Sequence, residues 1–289
     1  MPGIPSRGRI KSMFEELNKT AIWQDIQKIR AESPLVHNIT NYVVMNTTAN
    51  ALLALGASPV MAHAQEEVEE MASLAKALVI NIGTLSAAWI DSMMKAGRAA
   101  RQKGIPIVLD PVGSGATRFR TETVQSLLRT APPAIVRGNA SEIRSLVLAE
   151  QSTKGVESVH ASEETLEAAQ SLSAAFGGVV SVSGRTDLIV KNDRTVRVLN
   201  GHPLMSRITG MGCTATALTA AFAAVNPSHF IAAANAMALM GIAGEMAAER
   251  SAGPASFEMH FLDALYGIRE SDIEQRLKLE SVKGTRNSN

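Results

Sequence analysis

The 289 residues suffice for one large α/β domain or two small ones, and a 46% hydrophobic content supplies a substantial core. Only 4% of residues are aromatic, so Ala, Val, Ile, Leu and Met must fill that core, as suits helices packed on a parallel sheet. With 28 Lys plus Arg against 27 Asp plus Glu, no net field draws the chain to nucleic acid or an acidic membrane surface.

Cys213 is the one cysteine, which excludes an intrachain disulfide and a cysteine-only zinc site and fits a cytoplasmic location. Residues 1–25 lack the apolar run and cleavage site of a secretory signal. They read as an N-terminal extension that turns into a short helix near Phe14, Leu17 and Trp23. From there, apolar runs at 59–61, 78–82, 105–109, 134–136 and 179–182 predict strands. The Ala-rich amphipathic stretches 66–77, 87–103, 121–129 and 163–176 predict helices between them. That alternation implies right-handed crossovers and a mainly parallel sheet. After Gly184 the runs 188–191 and 195–199 flank Asn192-Asp193 and predict an antiparallel hairpin at one sheet edge. Helices are expected from Thr214 onward, with Pro227 separating two of them. The most apolar stretch, 230–244, is shorter than the ~20 residues of a membrane span and predicts a buried helix. Residues 26–275 thus read as a single domain and 276–289 as a polar, frayed tail.

Three segments carry candidate chemistry. Ile208-Thr209-Gly210-Met211-Gly212-Cys213-Thr214 follows a strand-like run and opens an Ala-rich helix. Its glycines permit a tight turn, and the amides of a helix N-terminus favour an anion such as a transferring phosphoryl group. A plain turn reads equally well from these residues. Cys213 is either a buried, inert thiol or one whose pKa the helix N-terminus lowers, so that it accepts a proton.

Asp110-Pro111-Val112-Gly113 follows one predicted strand, and Asn139-Ala140-Ser141-Glu142 follows another. Ligands bind beyond the carboxyl ends of parallel strands, where two acidic side chains can hold Mg²⁺ directly or through water. Alternatively Asp110 is a turn residue, and Asn139 and Glu142 cap a helix. The third segment is His37-Asn38-Ile39-Thr40-Asn41-Tyr42 with Ala57-Ser58-Pro59-Val60-Met61. Its polar cluster reads as a helix cap, His37 as structural and Met61 as core. No Gly-Lys dipeptide and no Gly-x-Gly-x-x-Gly occurs, which removes the P-loop and the dinucleotide fingerprint.

On these segments, together with Leu53-Ala54-Leu55-Gly56, Asn81-Ile82-Gly83-Thr84-Leu85 and Arg137-Gly138-Asn139, the chain resembles the hydroxyethylthiazole kinases of the ribokinase-like superfamily. The collinear likeness runs over roughly residues 34–263. It implies a three-layer α/β/α fold whose mainly parallel central sheet has an antiparallel edge. It also implies a homotrimer with active sites at subunit interfaces. ATP would be the donor and 4-methyl-5-(2-hydroxyethyl)thiazole the acceptor, in thiamine biosynthesis or salvage. Carried over by position, Met61, Gly210 and Asn41 would contact the thiazole, and Arg137, Ser183 and Asn139 the ATP. Asp110 and Glu142 would organise Mg²⁺ and phosphate. Gly210, Gly212 and Cys213 would form the catalytic loop, with Cys213 where related kinases place an aspartate base. Met211 stands where a small residue is usual, and Ser183 where threonine is frequent.

Overall fold

The computed structural model describes residues 18–150 and 161–282. Helix α1 (Lys19–Glu32) leads into β1 (Leu35–Ile39), α2 (Met45–Leu55), β2 (Ser58–Val60), α3 (Val68–Leu74) and β3 (Ala77–Asn81). Next come α4 (Ala87–Lys103), β4 (Ile107–Asp110), α5 (Arg118–Thr130), β5 (Ile135–Asn139), α6 (Ala140–Glu150) and α7 (Ala161–Phe176). Strands β6 (Val179–Ser183), β7 (Asp187–Lys191) and β8 (Arg194–Val198) precede α8 (Met211–Val225), α9 (His229–Ala248), α10 (Pro254–Gly267), α11 (Glu270–Arg276) and β9 (Leu279–Val282).

Among the described residues the strands form one sheet in the order β2-β1-β3-β4-β5-β6-β7-β8-β9, parallel through β6 and antiparallel beyond it. Both faces are covered, and the pleat sorts the side chains. Val36, Val79, Val108, Ile135 and Val179 pack against α1, α2, α8, α9 and α10. Their neighbours in the chain Leu78, Ile80, Leu109, Val136 and Val180 pack against α3 to α7. Strands buried on both sides must be apolar throughout, which is why they read as continuous Val, Ile and Leu runs. Helices α8 and α9 are apolar all round and consist largely of Ala, so they run side by side through the core. By length and composition α9 could cross a membrane, yet 89% of its most apolar window is buried inside the protein.

Several expectations change. The first half of 37–42, read as a polar cap, belongs to the inner strand Leu35–Ile39: His37 and Asn38 are buried, with His37 Nε2 donating to the Ala62 carbonyl at 2.7 Å and Asn38 Nδ2 to the Val36 carbonyl at 2.8 Å. The short helix expected near Trp23 spans Lys19–Glu32 and buries Ile22, Ile26 and Ile29, so the core begins within the supposed extension of 1–25. Phe14 and Leu17 lie outside the described residues. The supposed frayed tail supplies β9, which pairs antiparallel with β8, while 283–289 lie outside the described residues. The run before Ile208 is a 3-10 turn, Pro203–Arg207, not a strand.

Helix α1 is tied to α10 and α11. Lys19 Nζ donates to the Glu274 carbonyl in α11, and the Arg30 guanidinium donates to the carbonyls of Leu265, Tyr266 and Ile268 at 3.4, 2.8 and 3.4 Å.

Candidate active site

Parallel order brings the carboxyl ends of β1, β3, β4, β5 and β6 side by side, and the candidate residues sit there. Asn81 closes β3 directly beside Asp110, which closes β4. Asn139 closes β5 beside Ser183, which closes β6. The first turn of α8 lies across this row.

At that turn Gly210 has φ +83°, a conformation that glycine adopts without strain, and a Cβ there would stand 2.7 Å from Val44 Cγ1. As N-cap it offers no side chain to the helix end. Thr214 N bonds back to the Gly210 carbonyl at 2.8 Å, leaving the amides of Met211, Gly212 and Cys213 without intrahelical acceptors. Beside them lies Arg137, only 6% exposed, whose Nε has no hydrogen-bond partner. A Cβ on Gly212 would meet Arg137 Nη1 at 2.9 Å, so the guanidinium lies against the helix start. A buried cation with an idle donor next to open helix amides is a place for an anion. Ser183 is half-buried at the same end, its hydroxyl 3.4 Å from the Gly138 carbonyl.

Asn41, Asn81 and Asp110 form a chain of amides and a carboxylate. Asn41 Nδ2 donates to Cys213 Sγ at 3.4 Å and to Asn81 Oδ1 at 2.9 Å, and Asn81 Nδ2 donates to Asp110 Oδ2 at 2.9 Å. Thr216 Oγ1, one turn beyond Gly212, donates to the same carboxylate oxygen at 2.7 Å. Burial pushes Asp110 up to about 6, opposed by Arg137 and by the bonds from Thr216 and Asn81, and reinforced by Glu142. Burial also pushes the Cys213 thiol up to about 11, with Asp110 adding to the rise. Of the two readings of this thiol, desolvation and the nearby carboxylate favour the buried, protonated one.

Glu142 and Asn139 realise the capping reading. Asn139 Oδ1 accepts from Glu142 N at 3.0 Å, while Glu142 Oε2 accepts from Asn139 N at 2.8 Å, a reciprocal capping box. Glu142 Oε1 accepts from Gly113 N at 2.8 Å, which ties the turn after β4 to the start of α6. Each oxygen keeps a lone pair, so this role does not exclude a metal's hydration shell. Met61 is half-buried just beyond β2, and Asn41 is 4% exposed with its amide turned inward.

Three site residues carried no role in the sequence. Asn81 is legible only once the register sets it beside Asp110, and Thr216 only once α8 is known to cross β4. Asp187, 8% exposed, accepts from Gly184 N at 3.0 Å; burial raises it to about 6, against that bond and Arg137.

The fold is of the ribokinase-like kind. A ribokinase-like superfamily protein from Enterococcus faecalis V583 superposes with a TM-score of 0.61 at 17% identity, over 83% of this chain and 86% of its own, a likeness of fold alone. The hydroxyethylthiazole kinase family pattern matches residues 26–271, and the chain belongs to that family. The hydroxyethylthiazole kinase of Syntrophus aciditrophicus (strain SB) is 57% identical over 258 residues, 89% of this chain and 96% of its own. That of Leptospira biflexa serovar Patoc is 54% identical over 265 residues, 92% of this chain and 99% of its own. The structure of the hydroxyethylthiazole kinase protein from Pyrococcus horikoshii OT3 gives a TM-score of 0.85 at 46% identity, covering 91% of this chain and 99% of that one.

Proposed function

We propose that the chain phosphorylates the hydroxyethyl group of 4-methyl-5-(2-hydroxyethyl)thiazole with ATP and Mg²⁺, in thiamine biosynthesis or salvage. One observation carries the reading: the open first turn of α8 lies against the buried Arg137, whose Nε is idle, and its Cys213 Sγ accepts from the Asn41 amide. Phosphate oxygens would take the amides of Gly212 and Cys213 and the Arg137 guanidinium, with Ser183 and Asn139 at the ends of the adjoining strands for the rest of the nucleotide. Met61, Asn41 and Gly210 would bound the thiazole.

Asp110 and Glu142 offer hard oxygen donors with spare lone pairs, and burial leaves Asp110 short of positive charge, a fit to Mg²⁺ through water and phosphate. When bound, Mg²⁺ would neutralise charge on the β- and γ-phosphates. Phosphoryl transfer has a loose transition state that asks little prior deprotonation of the alcohol. A thiol near 11 stays protonated, so Cys213 serves to orient the hydroxyl, and the helix amides hold the charge that spreads over the equatorial oxygens.

A cytoplasmic homotrimer with sites at its interfaces is part of this reading. Tyr42 and Val43, next to Asn41, are 63% and 64% exposed, and Leu53, Met259 and Tyr266 expose further apolar surface on the neighbouring α2 and α10. Light scattering would report the assembly. The activity test is direct: purified protein with ATP, Mg²⁺ and the thiazole alcohol should release ADP and yield the phosphate monoester by mass spectrometry. Turnover of pyridoxal-type alcohols in preference to the thiazole would overturn the substrate assignment.

A further inference from the structure

The first turn of α5 sends one side chain back under the site. Arg120 Nη1 donates to the carbonyls of Ile82 at 2.9 Å and Val112 at 2.6 Å, and its Nη2 donates to the Gly83 carbonyl at 2.8 Å. Ile82 and Gly83 follow Asn81, the amide that bonds both Asn41 and Asp110. Gly83 N also donates to Asn81 Oδ1 at 2.9 Å, so the loop that Arg120 grips is the one that orients this amide. Val112 precedes Gly113, whose N–H bonds Glu142.

We infer that Arg120 is a positioning residue that fixes the acceptor side of the site, Cys213–Asn41–Asn81, at a set distance from the phosphate side, Asp110 and Glu142. It touches no reacting atom. Its fork reaches carbonyls on two loops at once, which a lysine ammonium on a flexible stem cannot reproduce. The consequence is borne by the chemical step, because misplacing reacting groups by about 1 Å costs on the order of 100-fold in rate while leaving binding of either substrate alone nearly intact. This inference rests on the kinase reading for its kinetic part only.

Arg120→Lys and Arg120→Gln are compared with the wild type by thermal melting, initial rates and alkylation of Cys213, the one thiol in the chain. Expected are a kcat lowered on the order of 10–100-fold with KM for ATP within about twofold, a partial return of kcat in Lys relative to Gln, and a faster alkylation as the Asn41 amide loosens from Sγ. The alkylation arm holds whether or not the thiazole is the acceptor, so a failed kinase assay in the wild type leaves it decisive. An unchanged alkylation rate in both variants, or losses that merely follow the fall in melting temperature, overturns the positioning role.

Discussion

The Arg137 guanidinium lies against the first turn of α8, so close that a methyl group on Gly212 would stand 2.9 Å from Nη1. The glycine is therefore a seat for the cation as well as a source of a backbone donor. Gly212→Ala should push the guanidinium away and lower kcat/KM for ATP on the order of 10–100-fold, while the melting temperature changes little. Initial rates against ATP concentration read this out.

Gly210 is held more tightly still, by its φ of +83° and by Val44 Cγ1, which lies 2.7 Å from where a Cβ would stand. Gly210→Val should abolish turnover through strain at the helix start. Cys213→Ser, in contrast, should keep at least about a tenth of the wild-type rate, because a thiol that acted as base would cost ~10²–10⁴-fold on removal. Equal residual rates in the two variants would contradict the orienting role of the thiol.

The raised Cys213 thiol has a chemical signature. At about pH 8 a thiol of pKa near 11 is roughly 0.1% thiolate, against roughly a quarter for a free cysteine. Iodoacetamide should label the native protein slowly at that pH, with a rate that keeps climbing toward pH 11. A plateau near pH 8 or 9 would show that Asp110 and burial do not control the thiol.

Asp187 gives a stability test away from the reacting atoms. Its folded pKa of about 6 lies above the unfolded value of 3.8, so the folded state binds the proton more tightly. Stability contributed by protonated Asp187 is present below the unfolded value and is lost as pH rises through about 6. Asp187→Asn, which can still accept from Gly184 N, should be more stable than wild type above about pH 6, by on the order of 1–3 kcal/mol. The advantage should vanish near pH 4. Urea unfolding at the two extremes checks the sign.

Much of this architecture is written in local pattern. The helix over 87–103 is legible to its ends because Ser86 caps Trp89 N and Gly104 stops it in the left-handed region. The hairpin around Asn192 is legible because asparagine tolerates the φ of +55° that the turn imposes. Leu35–Ile39 escapes the same reading because His37 and Asn38 interrupt its apolar run, and only burial between β2 and β3 makes it a strand. Leu279–Val282 looks like a polar tail because an outermost strand with few buried positions carries no continuous apolar run. At the site, the motifs place Arg137, Asp110 and the glycine turn. They do not reveal that Asn81 links Asn41 to Asp110, since that link exists only in the register of β3 on β4. The direction of the Cys213 shift is lost for a similar reason: sequence shows the helix start but not the depth of burial.

The strap between α1 and the end of α10, with Lys19 reaching into α11, makes the first described helix depend on segments made far later. During synthesis α1 emerges with Ile22, Ile26 and Ile29 bare, and it finds its carbonyl partners only when residues 265–274 arrive. Closure of so long a span is entropically slow. The nascent polypeptide therefore carries this greasy ridge incompletely covered until α8, α9 and α11 have emerged, a period in which a chaperone has something to hold.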